Sequence, residues 1–344
     1  MSVSVATALE FSPDGHTPEM TNTNTGARAI PATMQAIVID AYGGGDALHL
    51  ADIAIPPTAA DEVLIRVSAA GVGIWDVKQR DGDFGRGATF PLVLGAECSG
   101  EVVRFGSDVR RDDLALGDTV YSYFMGAQGA YAEYVNVKHS AVVRKPARLL
   151  ATEAAAVPVD AITAYQGLFD ELQLKTGQTI FIAGASGGVG TMAIQMARAA
   201  GATVVGSTST GNQDYVRSLG AETVVDYTKG DVIDMVRKTY PNGVDAAIDC
   251  VGGPSARTTI RAVRDGGRFV ELTGEDVGSP RGIAVGHVQS QATIARLTAV
   301  SKMFDDGSLR VFIERTFPLN EARAAQELVA KRRVRGKVVL TVAD

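Results

Sequence analysis

Apolar and polar positions alternate over the first half of the chain and then change rhythm. From Met34, the residues Ala36, Val38 and Asp40 alternate with Gln35, Ile37 and Ile39, which predicts a strand buried on one or both faces. Gly43-Gly44-Gly45-Asp46 predicts a turn, and Leu48 and Leu50 a return strand. Val63, Ile65 and Val67 alternate with Leu64, Arg66 and Ser68 in the same way. Further short strands are predicted at 98–104, 118–124, 130–137 and 141–144, with Gly, Asp or Pro in most of the gaps. This half reads as a mostly antiparallel β domain.

Near Pro158 strands begin to alternate with helices. Helices are predicted at 161–171, 188–200, 214–219, 231–238 and 256–264. The strands are expected at Thr179–Ala183, Thr203–Ser207, Thr223–Asp226, Ala246–Asp249 and Arg268–Leu272. Five strands with intervening helices demand right-handed crossovers and a parallel sheet. A doubly wound sheet of this kind holds its ligand at the carboxyl ends of its strands. Asn320 can cap a helix over 321–330, and Lys337–Val342 reads as a strand that rejoins the first domain. The expected organisation is therefore a flexible tail or surface arm over 1–33, a discontinuous β domain over 34–157 and 294–344, and a Rossmann domain over 158–293.

Composition narrows the class. A length of 344 residues suits two domains. The 33 Lys and Arg against 39 Asp and Glu give a net charge of −6, without the basic footprint of a nucleic-acid or anionic-membrane binder. No apolar run approaches the 18 or so residues of a membrane span. Glu10, Asp14 and Glu19 precede the first basic residue, Arg28, so the positive region of a signal peptide is missing. These features point to a cytoplasmic protein. Two cysteines, Cys98 and Cys250, exclude a disulfide-built scaffold and a four-cysteine zinc lobe.

The strongest local motif is Ala185-Ser186-Gly187-Gly188-Val189-Gly190, between the apolar strand Ile180-Phe181-Ile182 and a helix. It is a variant of G-x-G-x-x-G with Ala at the first position. Small residues permit the turn and let the backbone approach a pyrophosphate at the helix N-terminus. An NAD-specific site places an acid about 20 positions on, at the end of the second strand. Here that place carries Ser207, Thr208 and Ser209. Hydroxyls tolerate a ribose 2′-phosphate that a carboxylate would repel, so NADPH is the expected cofactor. Arg217, Tyr227 and Lys229 are candidates for added contacts, Tyr227 first among them. Val251, Leu272, Gly274 and Lys337 complete the expected cofactor-binding set, Lys337 lying at the cofactor or domain cleft or else on the surface.

These residues combine with AAGVGIWDVKQRDG at 69–82, PLVLGAECSGEVVRFGSDV at 91–109, GDTVY at 117–121 and AAAVPVDAITAYQGLFDEL at 154–172. LGAETVVDYT at 219–228, VDAAIDCVGG at 244–253 and FPLNEARAAQELVAKRRVRGKVVLTV at 317–342 follow. Together they resemble the zinc-independent quinone oxidoreductase (zeta-crystallin-like) branch of the medium-chain dehydrogenase/reductase superfamily, over about residues 34–344 in order. The resemblance implies an α/β protein: a GroES-like, mostly β catalytic domain plus a doubly wound Rossmann domain, with NADPH between them. It also implies a homodimer or homotetramer, and dimers in this family often pair edge strands, here Ile283–Val288.

Zinc-dependent relatives carry a cysteine at the place of Gly73 and a histidine at the place of Ala96, and neither residue here can ligate zinc. Glu97 alone is too few ligands. Cys98 reads as a buried small residue, and His16, His49, His139 and His287 lie far away in sequence, so no metal is expected. Two departures stand out. Most zinc-independent relatives have Asn at the position of Gly73, and quinone oxidoreductases often have Lys at the position of Asn212, where it helps hold the 2′-phosphate. The family chemistry is hydride transfer to a quinone or an α,β-unsaturated carbonyl, with negative charge developing on an oxygen that needs donors or a proton. Tyr121, Thr163 and Lys78 are the catalytic candidates, and Gly73, Ile74, Trp75 and Tyr123 the substrate-pocket candidates. Each tyrosine can equally be a packed β-domain aromatic. Asp76 reads as structural, and Asp160 as a residue that helps start a helix. An enoyl reductase of a biosynthetic pathway, and a low-turnover NADPH-binding sensor or structural protein, are the alternative functions.

Overall fold

The computed structural model describes residues 29–84, 87–124 and 129–342. The expected N-terminal tail therefore lies, up to residue 28, outside the described residues.

The first half builds two sheets. Strands β1 (Thr33–Ile39) and β2 (His49–Ala54) form the antiparallel pair expected around the glycine turn. The long β3 (Glu62–Val72) is followed by helix α1 (Ile74–Asp81) and then by β4 (Leu92–Val93), β5 (Glu97–Phe105), β6 (Thr119–Tyr123), β7 (Tyr134–Lys138) and β8 (Val142–Arg144). Short β4 joins β1, and β3 organises the larger sheet. Its first half pairs with β7, from Glu62 opposite Lys138 to Arg66 opposite Tyr134, and its flank pairs with β5. The alternation seen at Val63, Ile65 and Val67 belongs to a strand buried on both faces, since Leu64 is also fully buried.

Helices α2 (Ala151–Ala155) and α3 (Pro158–Tyr165) lead into the parallel sheet. The helix expected over 161–171 starts earlier, with Pro158 at its first position where a missing N–H costs nothing, and it widens to a π turn over Gln166–Glu171. At Gly167 in that turn a Cβ would come within 2.8 Å of Ile248, so glycine lets the turn press on the sheet. Then follow β9 (Thr179–Ala183), α4 (Gly188–Ala199), β10 (Thr203–Thr208), α5 (Gln213–Leu219), β11 (Thr223–Asp226), α6 (Val232–Thr239), β12 (Val244–Asp249), α7 (Pro254–Thr259), β13 (Val263–Glu271) and β14 (Ala284–His287). All six strands are parallel, in the order β11-β10-β9-β12-β13-β14. This is the doubly wound arrangement, with β9 at the centre and β14 at one edge.

The last stretch carries α8 (Ile294–Asp305), β15 (Ile313–Pro318), α9 (Ala322–Ala330) and β16 (Lys337–Thr341). Strand β16 pairs antiparallel with the end of β3, Val338 opposite Val72 and Thr341 opposite Ala69. This pairing carries the chain back across the molecule and sets Lys337 beside Gly73. Helix α8 was not expected, although its pattern is plain: Leu297, Val300, Ser301 and Phe304 are buried on one side, and the Thr293 hydroxyl accepts from Arg296 N at its start. No helix among the described residues is long and apolar enough to cross a membrane.

Candidate active site

The glycine turn joins β9 to α4 at the carboxyl edge of the parallel sheet. Gly184 has a φ of +73°, a conformation that glycine adopts freely. A Cβ at Gly190 would lie 2.3 Å from Gly184 O, and one at Gly188 would lie 2.0 Å from Asp160 Oδ2. The glycines at 188 and 190 thus answer to crowding, while Gly187 has open backbone and begins α4 in an extended conformation. Ala185 is fully buried and faces Gly206, which seats the turn tightly on β10. The turn has the form of a pyrophosphate cradle: exposed backbone at a helix N-terminus.

At the far end of this cradle lies the close of β10. Ser207 and Thr208 are buried, and Thr208 Oγ1 donates to Ser186 Oγ at 3.1 Å. Thr208 is therefore a prop for Ser186 and not itself an open donor, which corrects its expected direct contact; of the three hydroxyls only Ser209 is half-buried and open. Asn212 Nδ2 donates to the same Ser186 Oγ at 3.3 Å. Tyr227 follows β11, is 56% exposed, and its backbone N donates to Thr208 O. Arg217 is spent on Asp214 and Gln213. Two groups at this end escaped the sequence reading. Asp226 accepts from Thr210, Thr228 and Gln213, and the Thr210 and Thr228 hydroxyls hold its carboxyl down at about 2. Arg335, arriving from beyond α9, donates through Nε to Asn212 Oδ1 at 2.6 Å.

The near end is buried and charged. Lys337 Nζ lies 2.5 Å from Glu97 Oε1 and 3.0 Å from Asp160 Oδ2, and 4.2 Å from the centre of the Trp75 ring. Glu97 Oε2 also accepts from Val159 N at 2.8 Å. A Cβ on Gly71 would lie 2.4 Å from Glu97 Oε1, so the glycine of the Ala70-Gly71-Val72 segment makes room for this carboxylate. Burial pushes the Glu97 carboxyl up to about 7, with Lys337 pulling it back, and burial raises Asp160 against the same ammonium. Burial works against the Lys337 charge, but the two carboxylates hold its pKa above the ordinary lysine value. Lys337 is thus a buried partner of two acids, far from a surface role, and Asp160 does more than start a helix.

The remaining candidates scatter. Gly73 N donates to Asp76 Oδ2 at 2.8 Å at the start of α1, and Tyr131 donates to the same oxygen, so buried Asp76 is structural. Burial pushes its carboxyl up to about 6. The space beside Gly73 is filled by the Trp75 indole: a Cβ there would lie 2.1 Å from Cζ2. Gly73 therefore opens no room of its own for substrate. Ile74 and Lys78 are half-buried on α1. Tyr121 and Tyr123 share one face of β6, but α8 covers the first. Tyr121 is fully buried and its hydroxyl donates to Leu297 O at 2.7 Å and meets Ser301 Oγ at 2.9 Å, which removes it from the catalytic candidates. Tyr123 donates to Ser290 O at 3.1 Å, and Thr163 Oγ1 lies 2.9 Å from Ser290 Oγ while bonding Val159 O. Ser290 thus joins these two hydroxyls; its unremarkable sequence gave no signal. Val251, Leu272 and Gly274 lie just past the carboxyl ends of β12 and β13, on the cradle's side of the sheet.

Comparison with known proteins places this geometry. Residues 219–340 match the family described as zinc-binding dehydrogenase, and residues 59–147 match the alcohol dehydrogenase GroES-like domain. A mitochondrial NAD(P)H oxidoreductase of Danio rerio is 31% identical over 360 residues, covering 90% of this chain and 92% of the relative. A chloroplastic NADPH-dependent alkenal/one oxidoreductase of Arabidopsis thaliana is 35% identical, covering 73% and 65%. The solved structure of the quinone oxidoreductase from Coxiella burnetii superposes with a TM-score of 0.83 at 31% identity, covering 90% and 99%. The fold and its cofactor turn define an oxidoreductase that uses a nicotinamide cofactor. The chain belongs to the zeta-crystallin-like branch of the medium-chain dehydrogenase/reductase superfamily.

The first family description invokes zinc, and the residues present do not fit it. Gly73 and Ala96 offer no donor atoms, Glu97 is held by Lys337, and burial keeps the Cys98 thiol protonated. Among the described residues no group of three or more His, Cys, Asp and Glu is gathered as a metal site.

Proposed function

We propose that the chain is an NADPH-dependent reductase of α,β-unsaturated carbonyls or quinones that works without zinc. The observation that carries this reading is the pairing of an open glycine cradle with a second strand that ends in hydroxyls and an amide in place of an acid. The relatives named for NADPH-dependent alkenal/one and quinone reduction support it.

The backbone of Ser186–Gly188 and the N-terminus of α4 would hold the pyrophosphate, and Ser209, Asn212 and Tyr227 would face the adenosine ribose. When bound, the reduced nicotinamide supplies a hydride to the electron-poor carbon or quinone oxygen of the substrate. The chain's own part is positioning and electrostatics. Thr163 and Tyr123 hold hydroxyls at Ser290, where they can turn toward a substrate oxygen that gains negative charge. Trp75 closes the wall beside Gly73 and leans on the Lys337 cluster. The hydride is matched by a single proton, which water supplies.

Among the described residues edge strand β14 has no partner on its outer side, and Val285 on it is 38% exposed. Pairing with a second copy there would make a continuous twelve-stranded sheet and a homodimer. The deciding experiment is NADPH consumption against a panel of quinones and enones, before and after exhaustive chelation. Turnover of at least one class, unchanged by chelation, is expected. Turnover of none overturns the reading in favour of a low-turnover binding protein, and loss of turnover with loss of bound zinc overturns its metal-free form.

A further inference from the structure

The loop after β10, Ser209–Gln213, carries no basic side chain, yet it occupies the place where a Rossmann fold meets the adenosine ribose. Its cation comes from elsewhere. Arg335 Nε donates to Asn212 Oδ1 at 2.6 Å and Nη2 to Gly211 O at 2.9 Å. Both acceptors are neutral, and among the described residues the guanidinium makes no ion pair and Nη1 no hydrogen bond. The side chain is exposed. Its charge is therefore available at the mouth of the site.

The backbone explains how it arrives there. Gly336 N donates to Ser186 O at 3.0 Å, and Gly336 bridges Gly187 in parallel. Gly336 has a φ of +59°, and a Cβ there would lie 2.2 Å from Phe312 O, so only glycine lets the segment lie this close. Arg335-Gly336-Lys337 thus forms a strap across the cofactor turn, with a cation on either side of its glycine. Lys337 is already neutralised by Glu97 and Asp160. Of the strap's two cations, only Arg335 has charge to offer a ligand. A phosphate at this loop would also meet an adverse charge, since the Asp226 carboxylate accepts from Thr210.

We propose that Arg335 is the residue that selects a ribose 2′-phosphate, lent to the cofactor loop by the C-terminal strap. This rests on the NADPH reading above. A charge-assisted hydrogen bond to a phosphate is about twice as strong as a neutral one; Nη1 would give that bond, and the Asn212 amide a second donor on the same side of the loop. The arrangement replaces a basic residue within the loop by one 123 positions further along the chain.

The test is calorimetric titration of the full chain with adenosine 2′,5′-bisphosphate and with 5′-AMP, which need no turnover. The wild type should bind the bisphosphate more tightly. Arg335→Gln should weaken the bisphosphate by roughly ten- to a hundredfold, the worth of a charge-assisted hydrogen bond, and leave 5′-AMP within about twofold. Arg335→Lys should keep part of the preference, as a point charge without the fork. Equal weakening of both ligands would show that Arg335 only shapes the loop, and no change in either would remove it from the site; both results overturn the proposal. A wild type that does not distinguish the two nucleotides overturns the NADPH reading itself, before any variant is made.

Discussion

The two cations of the strap stand one glycine apart in opposite surroundings. Lys337 is 4% exposed, between two buried carboxylates and against an indole ring, so its own charge is fully answered. Arg335 is exposed and its guanidinium bonds only neutral oxygens, while its backbone N donates to Glu314 Oε2 at 3.2 Å. A buried ion cluster gains little net stability over an apolar one, but removal of one partner strands the others in a low dielectric. An exposed guanidinium leaves little behind when it is removed, and its charge is free for a ligand. The near end of the cradle should therefore fail as structure, and the far end as recognition.

The sharpest way to break this comparison is Lys337→Met. It leaves Glu97 and Asp160 buried without their cation, and the expected loss is about 3–5 kcal/mol of unfolding free energy. The pH dependence has a definite sign. Glu97 is raised from 4.5 to about 7, so the folded chain holds this proton more tightly than the unfolded chain does. Its contribution is complete below the unfolded value and is lost as pH rises through about 7. Asp160 is raised too and acts in the same direction. Protonation relieves the stranded acids, so the defect of Lys337→Met should be large at pH 8 and shrink at pH 5. Urea unfolding at the two pH values measures it, and equal losses would refute the charge argument.

Gly73→Ala probes the wall of the same end. The new methyl would overlap the Trp75 ring, so overpacking should cost about 1–3 kcal/mol. Trp75 is the only tryptophan in the chain, and its emission reports directly on the ring. A shifted spectrum together with a lower melting temperature is expected. An unchanged spectrum would mean that the ring does not fill this space.

At the far end the counterpart is Ser209→Asp, which sets a carboxylate beside Asn212 without disturbing buried Thr208. The preference for adenosine 2′,5′-bisphosphate over 5′-AMP should fall by roughly tenfold, as expected of two charges near a protein surface, with stability nearly unchanged. A melting temperature that falls while the preference holds would reverse the assignment of the two ends.

The difference between the ends also tracks what could be read from the sequence. Alternation at Val63, Ile65 and Val67, the βα rhythm after Pro158 and the turn at Ala185–Gly190 are local patterns, and each marks its element. Contacts made at long range leave no local pattern. Arg335 reaches Asn212 across 123 residues, and Lys337 reaches Asp160 across 177. Gly73 reads from sequence as a substrate-pocket candidate, and only the fold shows the Trp75 indole that fills the space beside it. Helix α8 was legible in principle from Thr293, Leu297, Val300 and Phe304, and its omission hid what becomes of Tyr121.

That tyrosine gives the smallest expected effect and a clean contrast within one strand. Tyr121 and Tyr123 are two residues apart on β6 and point to the same side. Burial raises the pKa of both phenols, so both stay protonated and act only as neutral hydrogen-bond groups. Tyr121 donates to Leu297 O on α8 and pins that helix to the β domain, whereas Tyr123 ends at Ser290 with Thr163. Tyr121→Phe should therefore cost about 1 kcal/mol, the net worth of one buried hydrogen bond, and leave kcat/KM within about twofold. Tyr123→Phe should instead lower kcat/KM, because its hydroxyl stands with those proposed to meet the substrate oxygen. Thermal unfolding and steady-state kinetics on the two variants separate the roles. A tenfold loss of activity in Tyr121→Phe at an unchanged melting temperature would return that hydroxyl to the reaction and place the cleft on the α8 side of the strand.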